Sequence, residues 1–193
     1  MEEQPPLAAP ASLTSAQQAL ADLWDQHLRA EFVEHNAQEA VDTMVEDATV
    51  NHVPVLTGGV GRQQLHEFYS NTFIPQIPPD QQITPISRTI GTDRLVDEFV
   101  ATFTHTIQMD WLLPGVPPTG KSVEVPVVVL VQFREGKMAS ETLYWDQASV
   151  LVQLGLLNAE TLPVSGVEST RKVLDPTLPS NALIERAKAS KRQ

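Results

Sequence analysis

The residues best suited to chemistry lie within positions 137–155, where Asp146 ends an alternating, strand-like stretch and precedes an apolar segment. An ionised aspartate beside a core is costly unless it is paired, hydrogen-bonded, exposed or shifted in pKa, and shifted carboxylates are common at functional sites. Tyr144, two residues earlier, would share its strand face and could donate to a carbonyl or enolate oxygen. Asp146 is therefore a candidate general acid or base. The alternative is that it N-caps a helix over 147–157, and one side chain can do both.

Two histidines could assist such a carboxylate, because a neutral imidazole donates, accepts or shuttles protons near pH 7. His52 lies in the stretch NHVP, and His105 alternates with Phe103 and Ile107 on an apolar strand face. The alternative for each is a structural hydrogen bond within the core or to a loop carbonyl.

Several other side chains could contact a substrate. Alternation along 94–111 places Asp97 with Phe99 and Phe103, and so favours Asp97 over Glu98 as the inward acid. By the same rule Glu141 lies on the face opposite Tyr144, which we interpret as a surface or dimer-interface position. The candidate substrate contacts are Tyr69, Phe73, Asp97, Glu98, Asp110 and Trp111.

Composition excludes several classes of function. The chain has no cysteine, so thiolate catalysis, disulfides and zinc–thiolate sites are excluded, and its histidines and acids show no regular metal-ligand spacing. A net charge of −11 argues against binding of nucleic acid. The sequence contains neither a membrane-span-length apolar run nor a signal peptide. We therefore predict a cytoplasmic protein with no metal, nucleic-acid partner or membrane association.

The order of elements predicts an α+β domain in which N-terminal helices pack on a curved antiparallel sheet. Apolar spacing predicts helices over 14–35, 37–45 and 62–73, and period-two patterns predict strands over 48–54, 81–90, 94–111, 122–134 and 137–146. Pro126 predicts a bulge or bend. The predicted division is a flexible arm over 1–13, one domain over 14–157, and a wrapping tail over 158–193 with a short helix over 182–191.

Three motifs, through their order and spacing along the chain, carry a resemblance to a known family. Asp146 precedes Gly155 by nine residues with Gln153-Leu154-Gly155 intact, His52 ends the first strand, and His105-Thr106 precedes a PPTG loop. Over residues 20–157 the chain resembles the NTF2-like cone and its SnoaL-like polyketide cyclase branch. It departs from that branch at Thr142, where a tryptophan is usual, and at the acidic pair Asp97-Glu98.

The resemblance implies intramolecular aldol chemistry with a carboxylate as general acid/base and no metal or cofactor. We therefore predict an acid–base enzyme acting on a hydrophobic carbonyl compound, as a cyclase, isomerase or lyase of specialised metabolism. Its predicted catalytic residues are Asp146, His52, His105 and Tyr144. The alternatives are a hydrolase opening an epoxide, lactone or ester on the same fold, and a non-catalytic small-molecule-binding protein.

Two further predictions concern surfaces. Strand 122–134 is apolar on both faces, and the few helices cannot cover both sides of the sheet, so we expect a homodimer. Residues 111–120, WLLPGVPPTG, combine large apolar groups with three prolines. We expect this loop to cover the opening of the cone or, alternatively, to plug the end of the core.

Overall fold

A computed structural model describes residues 12–190. Its helices are α1 Ser15–Phe32, α2 Ala37–Asp42, α3 Gly61–Phe68, α4 Gln147–Gln153, α5 Glu168–Leu174 and α6 Ala182–Ser190. Its strands are β1 Met44–His52, β2 Thr57–Val60, β3 Gln82–Ile90, β4 Arg94–Thr104, β5 Ser122–Arg134 and β6 Lys137–Trp145. A π-helical turn, Tyr69–Phe73, and a short 3-10 turn, Ile74–Gln76, extend α3.

The strands form one curved sheet in the order β2-β1-β6-β5-β4-β3. The predicted α+β architecture, with N-terminal helices packed on this sheet, is confirmed. The sheet is mixed rather than wholly antiparallel, because β1 lies parallel to β6. That parallel pair joins the first strand of the chain to the last one, and α3 packs beside β1.

Strand β5 lies inside the sheet and separates its two faces by strict alternation. Val123, Val125, Val127, Val129 and Val131 are buried on the inner face, whereas the residues between them are only half-buried. The inner face is therefore core, and the outer face is incompletely covered.

Several predicted elements differ from the structure; the second helix, for example, ends at Asp42 and not at residue 45, and β1 already begins at Met44. Strand β4 ends at Thr104, not Trp111, because the Thr106 N–H turns back to the Thr104 carbonyl at 2.7 Å. The third helix changes to a π-helical turn at Tyr69. Pro126 causes no bulge, since the β4–β5 register runs unbroken through Val100↔Pro126 and pairing of β5 with β6 starts only at Val127.

The C-terminal region contains a helix that the sequence did not predict. Helix α5 packs on β5, where the Thr170 hydroxyl donates to the Glu124 carbonyl at 2.7 Å. The predicted N-terminal arm, apart from residues 12 and 13, lies outside the described residues. Within 12–190 no helix is both long and apolar enough to cross a membrane.

Candidate active site

A cavity of about 670 Å³ lies between α1 and the concave face of the sheet. Seven aromatic side chains line it: Trp24, Phe32, Phe73, Phe99, Phe103, Trp111 and Trp145. Its volume is in the usual range for a small-molecule site, and its lining is mostly apolar with a few polar groups. Such a cavity suits a hydrophobic ligand.

Four residues of the cavity wall form one hydrogen-bond network around Asp97, which is 9% exposed: Trp24, Asp25, Arg88 and Asp97. Arg88 donates to both Asp97 oxygens, from Nε at 2.6 Å and from Nη2 at 2.7 Å. The Trp24 indole N–H donates to Oδ2 at 2.8 Å, and the third Arg88 nitrogen, Nη1, donates to Asp25 at 2.8 Å. The hydrogen bonds to Asp97 and Asp25 raise the pKa of Arg88, so this guanidinium stays charged.

A second polar group, which we call the buried cluster, consists of His27, Glu31, Tyr69 and Glu141. Helix α1 supplies His27 and Glu31 one turn apart, the turn after α3 supplies Tyr69, and β6 supplies Glu141. His27 Nε2 lies 3.0 Å from Glu31 Oε1 and 3.7 Å from Glu141 Oε2. The Tyr69 hydroxyl lies 3.3 Å from both Nε2 and Glu141 Oε2. Three ionisable groups and a phenol therefore converge on one point inside the fold.

The other side of the His27 ring is held by α2. The Thr43 hydroxyl donates to the Ala40 carbonyl at 2.6 Å, so it accepts from His27 Nδ1–H at 2.8 Å. Nδ1 also lies 3.1 Å from the Ala40 carbonyl. With Nδ1 committed as a donor, Nε2 is aimed at the two glutamates.

Burial and charge shift the ionisation of this cluster. Burial alone would lower the pKa of His27, but the negative charges of Glu31 and Glu141 and hydrogen bonds to both raise it to about 10. Burial raises the pKa of Glu31, and His27 only partly offsets that effect. Burial, and to a smaller extent the negative charges of Glu141 and Glu31, raise the pKa of Tyr69 well above 10. At neutral pH the cluster thus holds an imidazolium and a neutral phenol, both hydrogen-bond donors.

The buried cluster is also the one grouping within residues 12–190 whose donor atoms could together hold a metal ion: His27, Glu31 and Glu141 offer ligand atoms within 4.8 Å of one another. A metal would need the neutral imidazole. The raised pKa of His27 favours a proton on Nε2 instead.

The buried cluster lies directly behind one end of the cavity. Trp24, which lines the cavity, stacks on His27 with ring centroids 5.6 Å apart. Leu143, two residues after Glu141 on the same face of β6, also lines the cavity. The Glu141 side chain keeps 7% of its surface accessible, whereas His27 keeps none. Glu141 is therefore the most accessible ionisable member of the buried cluster, although none of its four residues lines the cavity itself.

The four predicted catalytic residues are not brought together on this cavity. Asp146 is exposed and N-caps α4, accepting from the Ser149 N–H at 3.1 Å. Tyr144 points outward and is 46% exposed. As predicted from alternation, Tyr144 and Glu141 lie on opposite faces of β6. The prediction that Glu141 is a surface residue is wrong, because Glu141 is buried on the concave side of the sheet with Leu143 and Trp145.

Both candidate histidines are buried in structural surroundings. His52 Nδ1 lies 3.2 Å from the Trp111 carbonyl, and its ring meets the edges or faces of Phe68, Phe73, Trp111 and Trp145. His105 Nδ1 lies 3.2 Å from the Thr119 hydroxyl, and its Nε2 is buried without a partner. Burial lowers the pKa of each, which keeps both neutral at pH 7. Neither His52 nor His105 is one of the residues that line the cavity.

The candidate substrate contacts are divided. Phe73, Asp97, Glu98 and Trp111 line the cavity, Tyr69 belongs to the buried cluster, and Asp110 does not reach either. Asp110 instead accepts from the Gly115 N–H at 2.9 Å and fixes the proline-rich loop. Trp111, Leu112 and Leu113 of that loop are buried, so its first part is cavity wall.

The sequence does contain a signal for the buried cluster. His27 and Glu31 are four residues apart on α1, so they lie on the same helix face as Trp24, which is the face turned to the core. Two ionisable side chains are unusual on such a face. Their partners Tyr69 and Glu141 are far away in the chain, and only the tertiary fold brings them together.

Comparison with known proteins identifies the family. The sequence model of the SnoaL-like polyketide cyclase family matches residues 15–154. No curated protein matches the chain. A candidate SnoaL-like polyketide cyclase from Jannaschia sp. CCS1 is 18% identical, with 77% of this chain and 99% of that chain covered and a TM-score of 0.60.

Two Streptomyces structures are similar to the same degree. TsrD from Streptomyces laurentii is 16% identical, with 76% and 100% coverage of this chain and that one and a TM-score of 0.58. AclR from Streptomyces galilaeus, described as a candidate hydroxylase, is 20% identical, with 75% and 89% coverage and a TM-score of 0.56. These likenesses show the fold. The family match over residues 15–154 shows that the chain belongs to the SnoaL-like polyketide cyclase family.

Proposed function

We propose that this protein is an acid–base enzyme acting on a hydrophobic, carbonyl-containing small molecule, of the cyclase, isomerase or lyase type found in specialised metabolism. Membership of the SnoaL-like family supports a small-molecule biosynthetic role. The observation that carries the proposal is the buried cluster, which places donors and carboxylates behind one end of an aromatic cavity.

The chemistry of enolisation requires two functions, and the buried cluster offers both. A base must remove a proton next to a carbonyl group, and a donor must stabilise the developing enolate oxygen. In our proposal Glu141 is the base. Tyr69 is the donor to the enolate oxygen, and the His27 imidazolium beside it supplies positive charge, since the raised pKa values of both keep them protonated at neutral pH.

The rest of the buried cluster would position these groups. Glu31 holds His27 Nε2 from the same helix, and Thr43 with Ala40 holds Nδ1. The apolar wall excludes water, which strengthens every charge interaction in the site. Removal of one positioned proton-transfer group typically costs 10²–10⁴-fold in rate, on the order of 3–5 kcal/mol.

The alternative of a hydrolase has less support. Such an enzyme would need a carboxylate at the cavity to activate water, and Asp97 is the buried acid there. Both Asp97 oxygens already accept N–H donors from Arg88 or Trp24. We therefore assign Asp97 to substrate positioning and not to water activation.

The proposal can be tested without the natural substrate. Aryl ketones such as 2-acetylnaphthalene and 1-tetralone would be incubated with the protein in D₂O, and loss of the α-proton signal would be followed by NMR. We expect exchange above the buffer rate for at least one ketone, and a fall of about tenfold or more in Tyr69→Phe. Exchange equal to that of buffer for the whole series would overturn the proposal.

A further inference from the structure

The hydrogen-bond network that joins Arg88 to Asp97 and Asp25 is a polar site in the cavity wall, separate from the buried cluster. It leaves some of the Arg88 N–H groups without an acceptor. A guanidinium has five N–H groups. Asp97 takes two of them, at 2.6 and 2.7 Å, and Asp25 takes one, at 2.8 Å. Within residues 12–190 Arg88 has no other hydrogen-bond partner, so one N–H on each terminal nitrogen is available to a ligand.

These free donors are held in place. Arg88 pairs with Asp97 across the β3–β4 register, and the Trp24 indole fixes the far side of the same carboxylate at 2.8 Å. The Arg88 side chain is 31% exposed and lies at the cavity wall. A donor that is ordered before binding loses little entropy when a ligand accepts from it.

The charge around Arg88 discriminates between kinds of ligand. The charged lining residues are Asp25, Arg29, Arg88, Asp97 and Glu98. The three acids outnumber the two arginines, and Arg88 already neutralises Asp97 by direct contact. A ligand carboxylate would therefore add a negative charge to a site that has no surplus of positive charge. An uncharged acceptor, such as a ketone, ester or amide oxygen, meets no such penalty.

Gln81 supplies an independent sign that the ligand carries a polar group. Its side-chain oxygen is buried without a hydrogen-bond partner, and the residue lines the same cavity. A buried acceptor with no donor is costly, and a hydroxyl or amide N–H on a ligand would satisfy it.

We infer that Arg88, held by Asp97 and Asp25, binds an uncharged carbonyl-type oxygen of the ligand and that the cavity disfavours carboxylates. Asp97 and Glu141 are separated by β5 and offset by one pleat, since Asp97 pairs with Val129 and Glu141 with Val131. Strand spacing puts these two positions on the order of 10 Å apart. Together with the proposed function, on which this step rests, the substrate class is an elongated hydrophobic molecule with two separated oxygen functions, one at Arg88 and one at the buried cluster.

The test compares two probes with the same ring system, the ketone 2,6-diacetylnaphthalene, which offers one carbonyl oxygen to each polar site, and the carboxylate 6-acetyl-2-naphthoate, by equilibrium dialysis against the full chain. We expect the ketone to bind at least about tenfold more tightly. Arg88→Gln should weaken ketone binding about tenfold and naphthoate binding by no more than that. Arg134→Gln, whose arginine pairs with Asp47 away from the cavity, is the matched control and should leave ketone binding unchanged.

Equal or tighter binding of naphthoate to the wild-type protein would overturn the inference, as would unchanged ketone affinity in Arg88→Gln. If Arg88→Gln fails to fold because Asp97 is left unpaired, the double variant Arg88→Gln/Asp97→Asn removes that charge. Glu141→Gln separates this inference from the proposed function: it should abolish proton exchange and leave ketone binding at Arg88 intact. Arg88-dependent binding with no exchange by the wild-type protein would contradict only the proposed function.

Discussion

At the scale of single residues, the surroundings of three carboxylates decide what each can do. Asp146 is exposed and caps a helix, Asp97 is held by an arginine and an indole, and Glu141 lies among buried donors. The sequence offered all three as acidic residues near apolar strands. Only Glu141 combines burial, a phenol, an imidazolium and a position beside the cavity, which is the combination that acid–base catalysis needs.

The ionisation of His27 makes a prediction about stability. Its pKa rises from 6.5 to about 10 on folding, so its contribution is fully present below pH 6.5 and is lost as the pH rises through about 10. The raised pKa of Glu31 acts in the same direction. We expect the free energy of unfolding to fall by a few kcal/mol between pH 6.5 and 10.

Denaturant unfolding of the wild-type protein and of His27→Gln at several pH values measures this effect. The two proteins should differ most near pH 6.5 and converge toward pH 10. An equal difference at every pH would mean that His27 is neutral in the folded protein.

At the scale of elements, the Gln-Leu-Gly motif that carries much of the family resemblance completes helix α4. Gln153 bonds both the Glu124 N–H and the Glu124 carbonyl at 2.9 Å, which ties α4 to the start of β5. Gly155 has φ +71°, and Lys121 Nζ donates to the Leu154 carbonyl at 2.9 Å beside it. Asp146 is the N-cap of this helix and Gly155 follows its C-terminal end. The nine-residue interval between them is therefore set by the length of α4.

Gly155 should therefore be needed for stability and not for chemistry. An added Cβ would lie 2.4 Å from Lys121 Nζ, so Gly155→Ala must displace that lysine in addition to straining a left-handed backbone. Gly136, with φ +71° and no atom within 4 Å of an added Cβ, isolates the backbone cost. We expect Gly136→Ala to cost about 1–2 kcal/mol and Gly155→Ala about 1 kcal/mol more.

Urea unfolding of both alanine variants gives the comparison. Equal losses in the two variants would show that the Lys121 contact contributes nothing.

The elements also show where sequence reasoning reaches its limit. Alternation placed Asp97 on the same face as Phe99 and Phe103, because strand period two is a local property. The buried cluster needs α1, the turn after α3 and β6 to meet, and the parallel contact between β1 and β6 that completes this arrangement joins distant parts of the chain. His52 and His105 looked functional because they carry family motifs, whereas their burial in neutral surroundings depends on tertiary packing.

At the scale of the whole molecule, the outer face of the sheet presents apolar side chains that α5 covers only in part. Val96 pairs with Leu130, and Val128 pairs with Tyr144, so these four residues form one continuous outer patch. Tyr144 is 46% exposed and the three aliphatic residues are half-buried. We propose that a second copy of the chain covers this patch as a two-fold dimer.

Light scattering after size exclusion would give twice the chain mass of 21.2 kDa for such a dimer. Tyr144→Lys should shift the protein toward monomer, and Ala19→Lys at an exposed position of α1, on the opposite side of the sheet, should not. A wild-type protein that is monomeric at micromolar concentration would refute the dimer.

The central claim is that proton transfer belongs to the buried cluster and not to the aspartate at the end of β6. The most direct measurement is the rate of ketone α-proton exchange in D₂O for Glu141→Gln and Asp146→Ala, each compared with the wild-type protein. Glu141→Gln should lose at least about 10²-fold, and Asp146→Ala should lose only about 1 kcal/mol of stability as a missing helix cap while keeping its exchange rate. The reverse pattern, with exchange abolished in folded Asp146→Ala and retained in Glu141→Gln, would contradict the account.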